Sequence, residues 1–271
     1  MKTNGPEGHP TPLPAYDKPP VIEVVCGIEF NALEKFKAPY LGLFWHQLRD
    51  RFTTCEHAPP LGAFTLPKDD IGIQFPPLPR VWLINELQNK LIQLQNDRFL
   101  FNWRRMTPDE PYPHYDEIIQ EFRENLRLFQ DFVQTESLGS ISLIENELSY
   151  INHIPIGDGW NSLSEIGEIF PDLSWSQNEE RFLPKPENWN WRTAFKLPND
   201  RGQLLIRLHS ASRKVDQAKL LILEVKAKGL IESNVGDSTW EWFNIAHEWI
   251  VRGFTDLTGS DIQQNQWQRS V

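Results

Sequence analysis

The stretch LIQLQNDRFLFNWRR, residues 91–105, decides how the rest of the chain is read. Asn96-Asp97 is a turn pair with apolar alternation on both sides, which predicts a β-hairpin. With those two residues in the turn, Gln95 faces Arg98, Leu94 faces Phe99, Ile92 faces Phe101 and Lys90 faces Trp103. A side-chain period of two then puts Leu94, Phe99, Ile92 and Phe101 on one face. Gln93, Gln95, Arg98, Asn102 and Arg104 fall mostly on the other. Such a hairpin belongs in the middle of a half-buried antiparallel sheet.

Working outward, VIEVVCGIEF follows Pro20 and alternates Ile22, Val24, Cys26, Ile28 and Phe30 with Glu23, Val25, Gly27 and Glu29, a strand with one buried face. Residues 38–52 read as an amphipathic helix opened by Pro39. Residues 53–80 are rich in Pro and Gly and are expected to form a long loop, a lid or docking arm. A strand is expected at 81–84. Ile118, Ile119, Phe122, Leu126, Phe129 and Val133 recur at helical spacing within residues 115–134.

Residues 140–154 form a strand candidate. Ile144, Asn146, Leu148, Tyr150 and Asn152 share one face, and Glu145, Glu147, Ser149 and His153 the other. A short helix is expected at 162–170 and irregular chain at 171–188. Strands around Trp189–Lys196, 204–209 and 219–227 follow, and a helix at 238–257 closes the series.

The pattern predicts an α+β fold, a curved antiparallel sheet with helices on one side. Similar element order over residues 20–137 and 138–260 raises two pseudo-equivalent halves sharing that sheet. Residues 1–19 read as a flexible Pro-rich tail and 261–271 as a C-terminal tail.

With 271 residues, 39% hydrophobic, 16 Phe and 11 Trp, the chain can bury a sizeable core. Its mean hydropathy is −0.48. No apolar run approaches the roughly 18 residues that span a bilayer. The N-terminus has no apolar signal region, so a cytoplasmic protein is expected. The net charge of −10 comes from 37 acidic and 27 basic residues. That balance disfavours non-specific nucleic-acid binding and suits a protein partner, a basic one in particular.

Cys26 and Cys55 match neither a metal knuckle nor a CxxC pair, and Cys26 reads as a buried thiol. There is no GxxxxGK[ST], GxSxG or post-strand GxGxxG. His247-Glu248 begins like HExxH, but Val251 stands where the second histidine would bind zinc, leaving a helix-surface histidine. No metal or cofactor is expected.

The remaining candidates sit on the polar strand faces. Asn102, Arg104, Glu145, Glu147, His153 and Arg207 could gather as a ligand-binding site, with Glu23, Glu29, Arg192, His209 and Glu224 on the same faces. The alternative is a salt-bridged, water-facing sheet surface. Trp189, Trp191, Trp240 and Trp242 could supply aromatic anchors for a protein partner, or simply pack the core.

Five segments carry a family resemblance. They are residues 18–30, the hairpin from Gln95 to Arg104, Tyr112-Pro113-His114-Tyr115, Tyr150-Ile151-Asn152-His153-Ile154, and residues 246–254. In them the chain resembles a sporadically distributed bacterial protein family of unassigned function. The family pattern includes a Met-His before a C-terminal Trp-Gly, which residues 261–267 lack. The resemblance implies no activity, cofactor or catalytic residue; its patchy distribution implies a bacterial conflict or antiphage defence setting. The expected function is a non-enzymatic binding protein acting as inhibitor, adaptor or accessory subunit. The alternative is a small-molecule binder or enzyme using the polar face of the sheet.

Overall fold

The structure, a computed structural model, describes residues 12–61, 78–175, 180–213, 216–230 and 234–271. Nine strands form one open antiparallel sheet: β1 (Val21–Phe30), β2 (Thr54–Ala58), β3 (Arg80–Ile84), β4 (Lys90–Gln95), β5 (Arg98–Arg104), β6 (Leu143–Pro155), β7 (Asn190–Lys196), β8 (Gln203–Ser212) and β9 (Lys219–Gly229). Their order is β2-β3-β4-β5-β1-β6-β9-β8-β7. The helices are α1 (Ala38–Leu48), α2 (His114–Thr135), α3 (Ile166–Ile169), α4 (Asp237–Leu257) and α5 (Ser260–Asn265). The class is therefore α+β.

The hairpin is β4–β5, with the four pairs Gln95–Arg98, Leu94–Phe99, Ile92–Phe101 and Lys90–Trp103 in register. Its apolar face lies in the core, where Ile92, Leu94 and Phe99 have no exposure. β1 continues the same faces, Cys26 lying opposite both Phe101 of β5 and Leu148 of β6. Outward from β1 the strands run β5, β4, β3, β2; outward from β6 they run β9, β8, β7. Four strands thus lie outside β1 and three outside β6.

The helices seal the apolar face. Phe129 of α2 stacks on Phe99 with centroids 5.2 Å apart and meets Phe44 of α1 edge-on at 5.4 Å. Phe122 of α2 meets Phe243 of α4 at 5.3 Å. The three- and four-residue spacing of the apolar stripes makes this possible, since it keeps one side of each helix against the sheet. No helix among the described residues is long and apolar enough to cross a membrane.

Three local expectations change. The loop expected over 53–80 begins with strand β2, paired to β3 from Thr54–Ile84 to Ala58–Arg80. Only Ala58 of β2 is buried, so this edge strand lacks the alternation that marks a half-buried one. The lid or docking arm falls on residues 62–77, outside the described residues.

The expected C-terminal tail is packed: α5 and the chain after it bury Ile262, Gln263 and Trp267. It also fixes the described part of the N-terminal tail. Tyr16 bridges Arg269, Asp17 and Lys18 donate backbone bonds to Gln268 and Trp267, and Tyr16 Oη lies 2.8 Å from Thr255 Oγ1. Residues 12–20 are thus a strap laid over the ends of α4 and α5; residues 1–11 lie outside the described residues.

Candidate functional site

The strand registers align side chains in rows across the face that no helix covers. One row is Arg104–Glu23–Ile151–Glu224–Arg207–Arg192. Its neighbour is Asn102–Val25–Ser149–Lys226–Leu205–Ala194. All six candidate ligand residues, Asn102, Arg104, Glu145, Glu147, His153 and Arg207, face this side. They do not converge on one pocket.

Toward β3 the polar groups satisfy one another. Arg80 and Trp82 donate to Gln93 Oε1 at 2.7 and 3.2 Å, Gln93 donates to Asn102 at 2.8 Å, and Asn102 donates to Glu23 at 2.6 Å. Gln93 and Asn102 are buried. Burial pushes the Glu23 carboxyl above the usual carboxylate range, while the Asn102 bond and the Arg104 charge oppose it. Arg98 pairs with Glu29 at 2.9 Å.

Across β6 and β9 the charges are also matched. Lys226 sits between Glu147 at 3.1 Å and Glu224 at 3.0 Å. Lys228 pairs with Glu145 and reaches Glu147 at 3.6 Å. Burial works against the Lys226 ammonium, but the two carboxylates outweigh it and raise its pKa. Glu145, Glu147 and Asn102 are therefore engaged within the protein.

The matching stops at β7 and β8. Arg192 lies directly opposite Arg207, and Asn190 opposite His209. Lys196 follows on the same face. Among the described residues none of Arg192, Lys196 and Arg207 is in an ion pair, and the buried Arg207 Nε and His209 Nδ1 have no hydrogen-bond partner. Burial holds the His209 imidazole below its ordinary pKa, and the Arg207 charge adds to this, with Glu224 opposing and Arg192 adding a smaller push. His153 is lowered by burial, then by Arg213 and His209. Arg192, Arg207, Glu224 and Lys226 line a shallow groove here; of the six candidate ligand residues it holds Arg207 alone.

The net charge of −10 is unevenly placed. Helix α2 carries five carboxylates against two arginines and α4 four against one. The acidity lies on the helix layer, and the outer strands of the open face are cationic.

The four tryptophans do not form one surface. Trp242 is 1% exposed and gives its indole N–H to the Arg201 carbonyl at 2.8 Å, so it packs the core and presents no contact area. Trp240 lies against Phe122 and Phe243, with the Arg123 guanidinium 4.3 Å above its ring. Trp191 on β7 and Trp189 just before it are half-buried, and Trp189 donates to the Leu163 carbonyl at 3.1 Å. No group of three or more His, Cys, Asp or Glu among the described residues is placed to hold a metal ion.

A second site, absent from the residue candidates, lies on the helix-covered side. A cavity of about 230 Å³ opens between the strap, the start of α2, the centre of the sheet and α4. Tyr112 Oη is 3.0 Å from Tyr150 Oη. The His247 ring lies flat on Tyr115, with centroids 3.9 Å apart and planes 6° apart. His247 is thus not the free helix-surface residue expected; burial drives its pKa down to about 4, against the pull of Asp116 and Glu248. Burial pushes the Tyr112, Tyr115 and Tyr150 hydroxyls up, so they stay protonated at neutral pH.

Four of the five resemblance segments contribute to this cavity, through Pro19 to Val21, Tyr112 to Tyr115, Tyr150 with Asn152, and His247 with Ile250. The signal available in the sequence was the Tyr-Pro-His-Tyr run ahead of a helix. Asn152, which with Asn146 interrupts an otherwise apolar strand face, was a second one. No family model, no curated protein and no solved structure matches the chain.

Proposed function

We propose that the protein is a non-catalytic binding protein that takes an acidic segment of a protein partner on the outer strands of its open sheet face, at Arg192 and Arg207. The observation that carries this reading is the pair itself: two guanidiniums directly opposite across β7 and β8, neither in an ion pair among the described residues. Like charges facing each other across strands are destabilising. A carboxylate-bearing partner relieves that repulsion and supplies the bidentate acceptors that guanidinium groups fit.

The partner chemistry this supports is the opposite of the one the net charge alone suggests, because the acidic groups lie on the helix layer. An enzyme using the polar face is less well supported. Its carboxylates are tied to Lys226 and Lys228, and the groove is shallow. Inhibitor, adaptor and accessory-subunit roles all suit such a face; the defence setting comes from the resemblance alone.

The test is calorimetric titration with an octa-glutamate peptide, with oligo-dT of equal charge in parallel. Binding that weakens with salt, prefers the peptide and falls at least about tenfold in Arg207→Glu supports the reading. Equal binding by Arg207→Glu, a preference for oligo-dT, or no binding at millimolar peptide overturns it.

A further inference from the structure

We infer that the tyrosine-lined cavity is a binding site for a small organic cation, an ammonium-bearing molecule with a hydroxyl or carbonyl acceptor. The site is separate from the open sheet face and lies on the opposite side of the sheet. Its lining explains the choice. Neither lysine nor arginine lines it, and its single carboxylate, Asp116, is exposed in the first turn of α2.

The walls include four tyrosine rings and the His247 imidazole. Aromatic faces carry negative quadrupole potential and attract ammonium groups, most strongly where water is excluded. The rings are neutral at pH 7, since burial keeps the phenols protonated and the imidazole uncharged. With no lysine or arginine in the lining, a cation meets aromatic rings and one carboxylate.

The hydroxyl pair adds a donor. One proton is used in the 3.0 Å contact between Tyr112 and Tyr150, and the accepting hydroxyl keeps its own proton, which has no acceptor among the described residues. That proton can be given to a ligand oxygen.

Size sets the scale. An apolar cavity of about 150 Å³ already takes benzene, so about 230 Å³ suits a molecule of roughly choline size with room for a modest apolar body. Backbone strain also falls at this site. His114, which lines the cavity, has φ 61°, in the left-handed region that few non-glycine residues adopt, histidine more readily than most.

The strap carrying Leu13 to Tyr16 forms one wall and is held by Thr255 and the chain after α5.

The test compares choline with its uncharged isostere 3,3-dimethyl-1-butanol by calorimetry on the full chain. Choline is expected to bind at least about tenfold more tightly. Asp116→Asn, an exposed change, is expected to reduce that preference about threefold. Val251→Trp, which fills the cavity from α4, is expected to abolish binding of both compounds. Equal or tighter binding of the neutral isostere, choline binding untouched by Val251→Trp, or no choline binding at 10 mM on the order of the weakest useful affinities overturns the inference. None of these outcomes depends on Arg192 or Arg207, so the cavity and the sheet face stand or fall separately.

Discussion

The two sides of the sheet hold their polar groups under opposite regimes. On the open face, carboxylates and ammoniums pair with one another, as Lys226 does between Glu147 and Glu224. In the cavity on the helix-covered side, the Tyr112 and Tyr115 phenols and the His247 imidazole are kept neutral by burial. The difference follows from solvation. A charge can stay where water or a counter-ion reaches it, while a sealed site tolerates only groups whose neutral form is stable there. The open face can therefore select by charge, and the cavity by shape and by aromatic potential.

The largest effect expected lies in the covered side. Phe129 is fully buried and meets Phe30, Phe36, Phe44 and Phe99. Phe129→Ala should cost about 3–5 kcal/mol in urea unfolding, because the helices cannot collapse into the space left. A loss below about 1 kcal/mol would mean that α2 is not the lid of the core.

The second effect separates the regimes by pH. His247 has an ordinary pKa near 6.5 in the unfolded chain and about 4 when folded. Between these values the unfolded chain binds the proton and the folded one does not, so stability is complete above about 6.5 and falls as pH drops toward 4. After allowance for partial exposure the loss attributable to His247 should be on the order of 2 kcal/mol. His247→Phe keeps a ring on Tyr115 and cannot titrate, so it should flatten the decline. His153 and His209 act in the same direction, which makes the difference between wild type and variant the quantity to measure. An unchanged slope would remove His247 from the sealed side.

How much of this was readable in the sequence depended on range. The hairpin register followed from two turn residues and the alternation around them, all local, and each of its four pairs is present. Strand β2 was not readable because an exposed edge strand buries almost nothing and so leaves no pattern. The cavity was not readable because it joins residues near 15, 112, 150 and 247, each sitting in a locally ordinary element. The charge segregation was within reach. Lys226 and Lys228 on β9, Arg207 on β8 and Arg192 and Lys196 on β7 all recur at even spacing on one face, and the whole-chain total of −10 concealed them.

On the open face the effects should be smaller. Lys226→Met removes the ammonium that Glu147 and Glu224 share, with side-chain exposure of 25% at Lys226. Lys228 still reaches Glu147. The expected cost is about 1 kcal/mol, and it should shrink in high salt because the pairs are partly solvated. A cost that grows with salt would contradict the assignment of this face to water.

The smallest effect is the most informative, and its sign matters more than its size. Arg192 and Arg207 face each other with neither in an ion pair among the described residues, so replacing Arg192 removes repulsion, whereas Arg207 also lies opposite Glu224 of β9 and its replacement gives up that attraction too. Arg192→Gln should therefore change stability by only a few tenths of a kcal/mol, toward greater stability, while Arg207→Gln, which loses Glu224 as well as Arg192, should be close to neutral. The same variants should bind the octa-glutamate peptide several-fold more weakly. A residue kept only for the fold would lose stability on replacement, as Lys226 should. Arginines whose removal leaves the fold no less stable and loosens an acidic ligand are held there by binding, and a destabilisation of 1 kcal/mol or more on the order of a structural ion pair would return them to the fold.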